Sequence, residues 1–129
     1  MYAFSCTTGK SYDETVAEVT AALHEQGFGV LTEINVSAVL KNKLDIIKRP
    51  YIILGACNPV LANQAMETEP DIGLLLPCNV VVREEENGSI TVAFMDPTAV
   101  LALVENPDVA ALAAEVRGRL QKVCDAISS

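Results

Sequence analysis

The sequence predicts an α+β domain in which a mixed or antiparallel sheet carries helices on one face. Three observations support this prediction. Strand-like and helix-like segments follow one another in the order β-α-β-α-β-α-β-β-α-α, and the second helix is short. The dipeptide Asn87-Gly88 separates two alternating apolar segments, which is typical of a hairpin. The 129 residues are 50% hydrophobic, so we expect residues 1–129 to form one domain with its own core.

The N-terminal part of the chain contains two predicted strands and two predicted helices. Apolar residues alternating with small or polar ones predict a first strand over residues 2–6. Ser11, followed by a glutamate three residues later, forms a capping box that begins a helix, and Gly27 ends that helix. A second strand is predicted over residues 29–36, and a short helix or irregular segment over residues 37–44.

The C-terminal part begins with a continuous apolar segment over residues 51–56, which is typical of a strand buried on both faces. Asn58 and Pro59 then provide the cap and the first residue of a helix. The hairpin strands are predicted over residues 79–85 and 89–95. Asp96-Pro97 and Asn106-Pro107 repeat this combination of a cap and a first-turn proline. The apolar stripe after Asn106-Pro107 predicts a long C-terminal helix.

The hairpin brings several polar residues to one end of the sheet. Asn87-Gly88 suits a two-residue type I′ turn, and counting outward from such a turn places Asn79 opposite Asp96. We therefore expect Cys78, Asn79 and Asp96 to meet at the open end of the hairpin.

A second cysteine is predicted at the same end of the sheet. Cys57 follows the apolar strand, and it arrives beside Cys78 if that strand runs antiparallel to the first hairpin strand. Two predicted helix N-termini, at Asn58 and Asp96, point into this region. Helix N-termini favour negative charge and lower the pKa of a nearby thiol. This arrangement predicts a site for a thiolate, a metal or a bound anion.

The same residues also have purely structural interpretations. Buried cysteines often only fill space, and Asn58 and Asp96 are explained as helix caps. The sequence has no Cys-x-x-Cys motif, and two cysteines are fewer ligands than the four of a structural zinc site. We interpret the other two cysteines, Cys6 and Cys124, as packing residues, and the single histidine, His24, as solvated.

Charge and hydrophobicity exclude several classes of protein. The formal net charge is −8 and the pI is near 4.5, which disfavours binding to nucleic acid and to anionic membrane surfaces. No apolar run approaches the ~20 residues that span a bilayer, and the N-terminus lacks a signal-peptide pattern. We therefore expect a cytoplasmic protein with free thiols. One basic cluster, Lys41, Lys43, Lys48 and Arg49, stands out in this acidic chain, and Glu33 could pair with one of its lysines.

Four segments carry a resemblance to a known family. They are Gly27-Phe28-Gly29-Val30-Leu31-Thr32-Glu33-Ile34, Lys41-Asn42-Lys43-Leu44, Ile53-Leu54-Gly55-Ala56-Cys57-Asn58-Pro59 and Ile72-Gly73-Leu74-Leu75-Leu76-Pro77-Cys78-Asn79-Val80. Together they resemble the prokaryotic family called domain of unknown function 302 (DUF302) over nearly the whole chain, and Asp96-Pro97 also fits its pattern.

The resemblance implies a single α+β domain with a topology like that of the TATA-binding protein, and it implies dimers. The topology does not imply DNA binding, because fold does not fix function. The resemblance gives no roles or cofactor to the signature positions. These positions are Glu33, Lys43, Cys57, Asn58, Pro59, Cys78 and Asn79.

Three functions compete at this point. The first is a non-enzymatic dimer that binds a small molecule, an anionic ligand or a metal at Cys57 and Cys78. The second is a thiol redox or thiol-transfer protein in which Lys43 or a helix N-terminus stabilises one thiolate. The third is an inert dimeric scaffold. We favour binding over catalysis because no general base is evident beside the cysteines, and Glu33 is the only candidate carboxylate. A homodimer is expected because helices on one face leave apolar side chains of the central strands on the other.

Overall fold

The predicted strands form one five-stranded sheet in a computed structural model that describes residues 1–128. The strands are β1 (Ala3–Thr8), β2 (Gly29–Asn35), β3 (Tyr51–Cys57), β4 (Cys78–Glu84) and β5 (Ile90–Met95). Their order across the sheet is β1-β5-β4-β3-β2, and every neighbouring pair is antiparallel. The α+β prediction is confirmed, and the antiparallel alternative is the one observed.

Four of the five helices begin where the sequence places caps, and α2 begins one residue before the predicted segment, with Asn35 as its cap. They are α1 (Tyr12–Glu25), α2 (Val36–Leu44), α3 (Pro59–Thr68), α4 (Pro97–Val100) and α5 (Pro107–Ile127), and 3₁₀ turns occupy Pro70–Leu75 and Leu101–Val104. The Ser11 hydroxyl accepts a hydrogen bond from the Glu14 amide at 3.2 Å. Asn58 caps α3 in the same way, with proline at the first helical position. These side chains satisfy amides that would otherwise lack partners.

Helices α1 and α5 cover one face of the sheet and form the main cluster with it. This cluster contains Val19 and Leu23 of α1, Leu120 and Val123 of α5, and Leu54, Val80, Val92 and Phe94 of the sheet, among other residues. A smaller outer cluster lies between α3, α5 and the two 3₁₀ turns. Its buried members are Ala65, Ile72, Leu101, Val109 and Ala113. An antiparallel sheet with helices over one face is consistent with the topology that the family resemblance implies.

The hairpin differs from the predicted two-residue turn. Gly88 has a positive φ of 88°, and its amide donates to the Glu85 carbonyl at 3.0 Å. Asn87 has no positive φ, although a type I′ turn would require one. The connection is therefore a longer turn with a left-handed glycine, which changes the register by one residue. Val80 pairs with Phe94, so the same count puts Cys78, and not Asn79, opposite Asp96. The predicted Asn79–Asp96 pairing was wrong.

Over residues 1–128, no helix combines the length and the apolar character that crossing a membrane requires.

Candidate functional site

A small apolar cavity lies where the main cluster meets the outer cluster. Its volume is about 40 Å³, and it is bounded by β3, β4, α3, α5 and the segments between them. Cys57, Asn58 and Cys78 lie in its wall, beside apolar residues that include Leu61 and Ala113. Within residues 1–128, no charged side chain lines it. The cavity brings three of the sequence-predicted site residues together.

The strand register explains why the two cysteines are neighbours. Ala56 pairs directly with Cys78, so Cys57 is one step along β3 from that pair. A strand rise of about 3.3 Å and a strand spacing of about 4.8 Å put the two Cα atoms roughly 6 Å apart. Cys78 is only 6% exposed, whereas Cys57 is partly exposed, and both thiols are free. The cavity wall therefore contains one buried and one more accessible cysteine.

Burial controls the ionisation of these thiols. It raises the pKa of Cys78 to about 11, and the neighbouring Cys57 adds to this increase. Burial also raises the pKa of Cys57. A thiol in apolar surroundings loses hydration that a thiolate needs. The expectation that helix N-termini would lower a thiol pKa here was wrong, because desolvation dominates. Both sulfurs are protonated near neutral pH.

Asn58 connects the cavity wall to the rest of the fold. Its Oδ1 atom accepts a hydrogen bond from the Leu61 amide at 3.1 Å, which fixes the start of α3. Its side-chain amide lies against Gly27, where a Cβ atom would come within 3.0 Å of Nδ2. Gly27 has a φ of 86°, so a larger residue would be strained as well as crowded.

An arginine that the sequence analysis missed completes this junction. Arg119 of α5 donates a hydrogen bond from Nη1 to the carbonyl of Gln26 at 3.0 Å. A Cβ atom at Gly27 would approach the same Nη1 to 3.1 Å. Asn58, Gly27 and Arg119 thus join the start of α3 to the end of α1 and to α5. Gly27, the first residue of the Gly27-Phe28-Gly29 segment, was the sequence signal that could have indicated this contact.

Asn79 is not part of the cavity. It pairs with Gly55 of the neighbouring strand β3, and its side chain is exposed. Cys78, one residue earlier, is buried. Neighbouring residues of a strand point to opposite faces, so Asn79 points away from the helices.

Two further candidates, Glu33 and Lys43, lie elsewhere on the surface. Glu33 is exposed on β2, an edge strand, and Lys43 is exposed on α2. Glu33 also lines a shallow groove beside α1. Burial raises the pKa of the Tyr12 phenol, and the negative charges of Asp13 and Glu33 add smaller increases. Neither residue lines the cavity at Cys57 and Cys78.

Asp96 has a structural role at the start of α4. Its Oδ1 atom accepts a hydrogen bond from the Thr98 amide at 2.9 Å, and its Oδ2 atom lies 3.3 Å from Nε of Arg117. Burial opposes its ionisation, but the hydrogen bonds from Thr98 and Arg117 outweigh burial and lower the pKa of Asp96. Its charge is therefore already neutralised by Arg117 outside the cavity.

A surface groove adjoins the cavity. It lies between α3 and α5 and has a volume of about 620 Å³. Leu61 and Leu112 line both the cavity and this groove, so their side chains form the partition between them. Its polar groups come from Gln64, Thr68, Asp108, Glu115 and Arg119, and Glu115 lies 3.7 Å from Arg119. A ligand could therefore place an apolar end behind the leucines and a polar end outside.

The donor set for a metal ion is small. Among residues 1–128, no three His, Cys, Asp or Glu side chains come together in a geometry that could hold a metal. The two thiols of the cavity are thus the only grouped soft donors at this site.

Comparison with known proteins places the chain in a family. A search of curated proteins finds no match. The crystal structure of an uncharacterized conserved DUF302 protein from Bacillus stearothermophilus is similar, with a TM-score of 0.92 and 28% sequence identity. The similarity covers 98% of this chain and 98% of that chain. The family model for "Domain of unknown function DUF302" matches residues 4–127. The chain belongs to the DUF302 family.

Proposed function

We propose that this protein is a non-catalytic, dimeric domain that binds a small neutral molecule, or the apolar end of a larger one, in the cavity at Cys57 and Cys78. The observation that carries the proposal is the lining of the cavity. Its wall combines apolar residues with two cysteines, whose pKa values are raised, and one asparagine, and no charged residue among 1–128 lines it. A charged ligand placed there would lose its hydration without a compensating partner.

The size of the cavity limits what enters it. An apolar cavity of about 150 Å³ accommodates benzene, whereas this one is about 40 Å³. Only a few heavy atoms fit unless the wall moves. The rest of a longer ligand would lie in the groove beyond Leu61 and Leu112, with its polar end near Gln64 and Arg119. A short hydrocarbon chain with a polar terminus has this shape.

The thiol chemistry favours binding over the redox alternative. A nucleophilic cysteine is normally a thiolate at neutral pH, stabilised by a cation or a helix N-terminus. Here the pKa of each thiol is raised, and Lys43 does not line the site. The sulfurs act as polarisable apolar surface, which suits contact with a soft, uncharged group.

Straight-chain 1-alkanols, from butanol to decanol, test this function. We expect the longer alkanols to raise the melting temperature of the wild-type protein, and Ala113→Val to abolish that increase by filling the cavity. Ala114→Val is the matched control, because Ala114 is the exposed neighbour on the same helix. The proposal fails if no alkanol stabilises the protein, or if both variants respond like the wild type.

The dimer part of the proposal rests on α2 and the segment after it. Helix α2 contains no buried residue. Leu44 is 62% exposed and Ile47 is 79% exposed, and Val39 and Ile46 are exposed beside them. Several exposed apolar side chains within one short segment favour association, and a second copy of the chain presents the same segment.

Light scattering after size exclusion tests the dimer. We expect a wild-type dimer at micromolar concentration and a monomer for Ile47→Lys. Leu103→Lys is the control, because Leu103 is 76% exposed but lies outside α2 and its following segment. A wild-type monomer, or a dimer that survives Ile47→Lys, would refute this interface.

The cysteines support a reducing compartment. All four are free, including the buried Cys78 and Cys124. Free thiols of this number are typical of cytoplasmic proteins, and we propose that location.

A further inference from the structure

The groove beside the cavity has an acidic lining at the point where a ligand would leave the cavity. Leu112 lines both the cavity and the groove, and Asp108 and Glu115 of α5 line the groove with it. Asp108 is four residues before Leu112 and Glu115 is three residues after it, so each lies about one helical turn away on the same face of α5. A chain that passes Leu112 therefore emerges between two carboxylates.

The arginine of the groove already has partners. Arg119 donates from Nη1 to the Gln26 carbonyl at 3.0 Å, and its Nη2 atom lies 3.7 Å from Oε2 of Glu115. Within residues 1–128, no Lys or Arg side chain forms an ion pair with Asp108. The charge of the groove that lacks a partner is therefore negative.

The surface around the groove has the same sign of charge. Residues 59–76 and 97–116 include α3, α4, both 3₁₀ turns and the first half of α5, and their sequence contains no Lys, Arg or His. The carboxylates in these two stretches are Glu67, Glu69, Asp71, Glu105, Asp108 and Glu115. An acidic surface of this extent attracts cations and repels anions before they make contact.

We propose that the ligand of this site is a primary amine, whose short hydrocarbon chain enters the cavity and whose ammonium group lies between Asp108 and Glu115. This inference rests on the proposed function, because it assigns the polar end of the ligand whose apolar end occupies the cavity. An ammonium group has three hydrogen-bond donors. The side-chain oxygens of Gln64 and Thr68 belong to the same groove and supply further acceptors.

A carboxylate on the same hydrocarbon chain suits the groove less well. It would lie beside Asp108 and Glu115, and it would have to displace Glu115 from Arg119 to gain a cation. An alcohol avoids this repulsion between like charges but gains no ion pair. The order of affinity is therefore amine, then alcohol, then carboxylate.

Calorimetric titration of the full-length protein with 1-octylamine, 1-octanol and octanoate tests this order. The three probes share one chain, and the amine is protonated at neutral pH because it resembles the Lys side chain. We expect the amine to bind about 3–5-fold more tightly than the alcohol at low salt, as a favourable exposed ion pair allows. High salt should remove this advantage. Ala113→Val should weaken binding of the amine, because it fills the cavity that holds the chain.

Asp108→Asn and Glu67→Gln form a matched pair of variants. Each removes one exposed negative charge from the acidic surface, but only Asp108 lines the groove. We expect Asp108→Asn to reduce the preference for amine over alcohol to less than about twofold, and Glu67→Gln to keep it. The Asp108→Asn/Glu115→Gln double variant should prefer octanoate to octylamine, because it removes both carboxylates and releases Arg119 from Glu115.

The outcomes separate this inference from the function on which it rests. Equal affinity for octylamine and octanol, or tightest binding of octanoate to the wild type, would overturn the amine and leave cavity binding intact. Equal losses of preference in Asp108→Asn and Glu67→Gln would also overturn it, because overall charge would then explain the preference. Amine binding that Ala113→Val leaves unchanged would place the chain outside the cavity and would overturn it as well. If none of the three probes binds, the proposed function and this inference both fail.

Discussion

The two hydrophobic clusters of this protein are packed in different ways. The main cluster joins large side chains of the sheet, such as Phe94 and Leu54, to α1 and α5, and most of them are fully buried. The outer cluster is smaller and includes two alanines, Ala65 and Ala113. The cavity lies where the two clusters meet. The comparison indicates that the main cluster supplies most of the stability, whereas the packing of the outer cluster leaves open space at the boundary.

The largest expected effect is a truncation in the main cluster. Phe94 is 1% exposed and stacks on Phe4 with a centroid distance of 5.1 Å. We expect Phe94→Ala to lower the free energy of unfolding by about 3–5 kcal/mol, because the change removes buried surface and leaves a cavity. Urea denaturation measures this loss. A loss below about 1 kcal/mol would contradict the dominant role of the main cluster.

The next effect is a dependence of stability on pH at the boundary between the clusters. The pKa of Cys78 rises from 9.0 to about 11 on folding. The free energy of unfolding that is linked to this shift is fully present below pH 9 and is lost as the pH rises to 11. The linked loss is about 2–3 kcal/mol. We expect Cys78→Ala to remove this part of the pH dependence, measured by urea denaturation between pH 7 and pH 11. Cys57→Ala should keep most of it, and equal slopes for wild type and Cys78→Ala would refute the assignment.

A smaller effect is expected at the start of α3. Asn58 is a buried cap, whereas Asn35 provides the same cap for α2 in an exposed setting, where its Oδ1 accepts from the Ala38 amide at 3.0 Å. Loss of a cap costs about 1 kcal/mol. We expect Asn58→Ala to cost more than Asn35→Ala, because Asn58 also packs on Gly27. Thermal unfolding compares the two variants, and equal losses would show that the contact with Gly27 adds nothing.

The smallest effect should come from filling the cavity. Ala113→Val adds two methyl groups beside open space, and we expect the free energy of unfolding to change by less than about 1 kcal/mol. Ala114→Val shows the cost of a β-branched residue in the helix without any change to the cavity. A loss of several kcal/mol for Ala113→Val alone would mean that the outer cluster is as closely packed as the main one.

Local sequence patterns predicted most of the fold. Strand alternation, the Ser11 capping box and the Asn-Pro and Asp-Pro pairs identified the elements in order, and the DUF302 resemblance is confirmed. The hairpin register was missed by one residue because Gly88 alone adopts a positive φ. A dipeptide allows more than one turn type, and its choice depends on the strands that follow.

The candidate site was predictable only in part. Counting along antiparallel strands is enough to bring Cys57 and Cys78 together, since it requires topology alone. The apolar wall at Leu61, Leu112 and Ala113 depends on how α3 and α5 pack, which no local pattern encodes. The raised pKa of Cys78 has the same origin, because desolvation depends on neighbours that are distant in sequence.

The position of β1 has a consequence for biosynthesis. Of the five strands of this sheet, β1 is synthesised before the others, yet it lies at an edge and pairs with β5, far along the chain. Until β5 has been synthesised, β1 has no strand to accept its hydrogen bonds, and α5, which packs over it, emerges later still. The hairpin of β4 and β5 closes a short loop, which costs little conformational entropy. Docking of β1 on β5 closes the long chain segment between them and costs more. The sheet therefore incorporates β1 only after β5, although β1 comes first of the five strands along the chain.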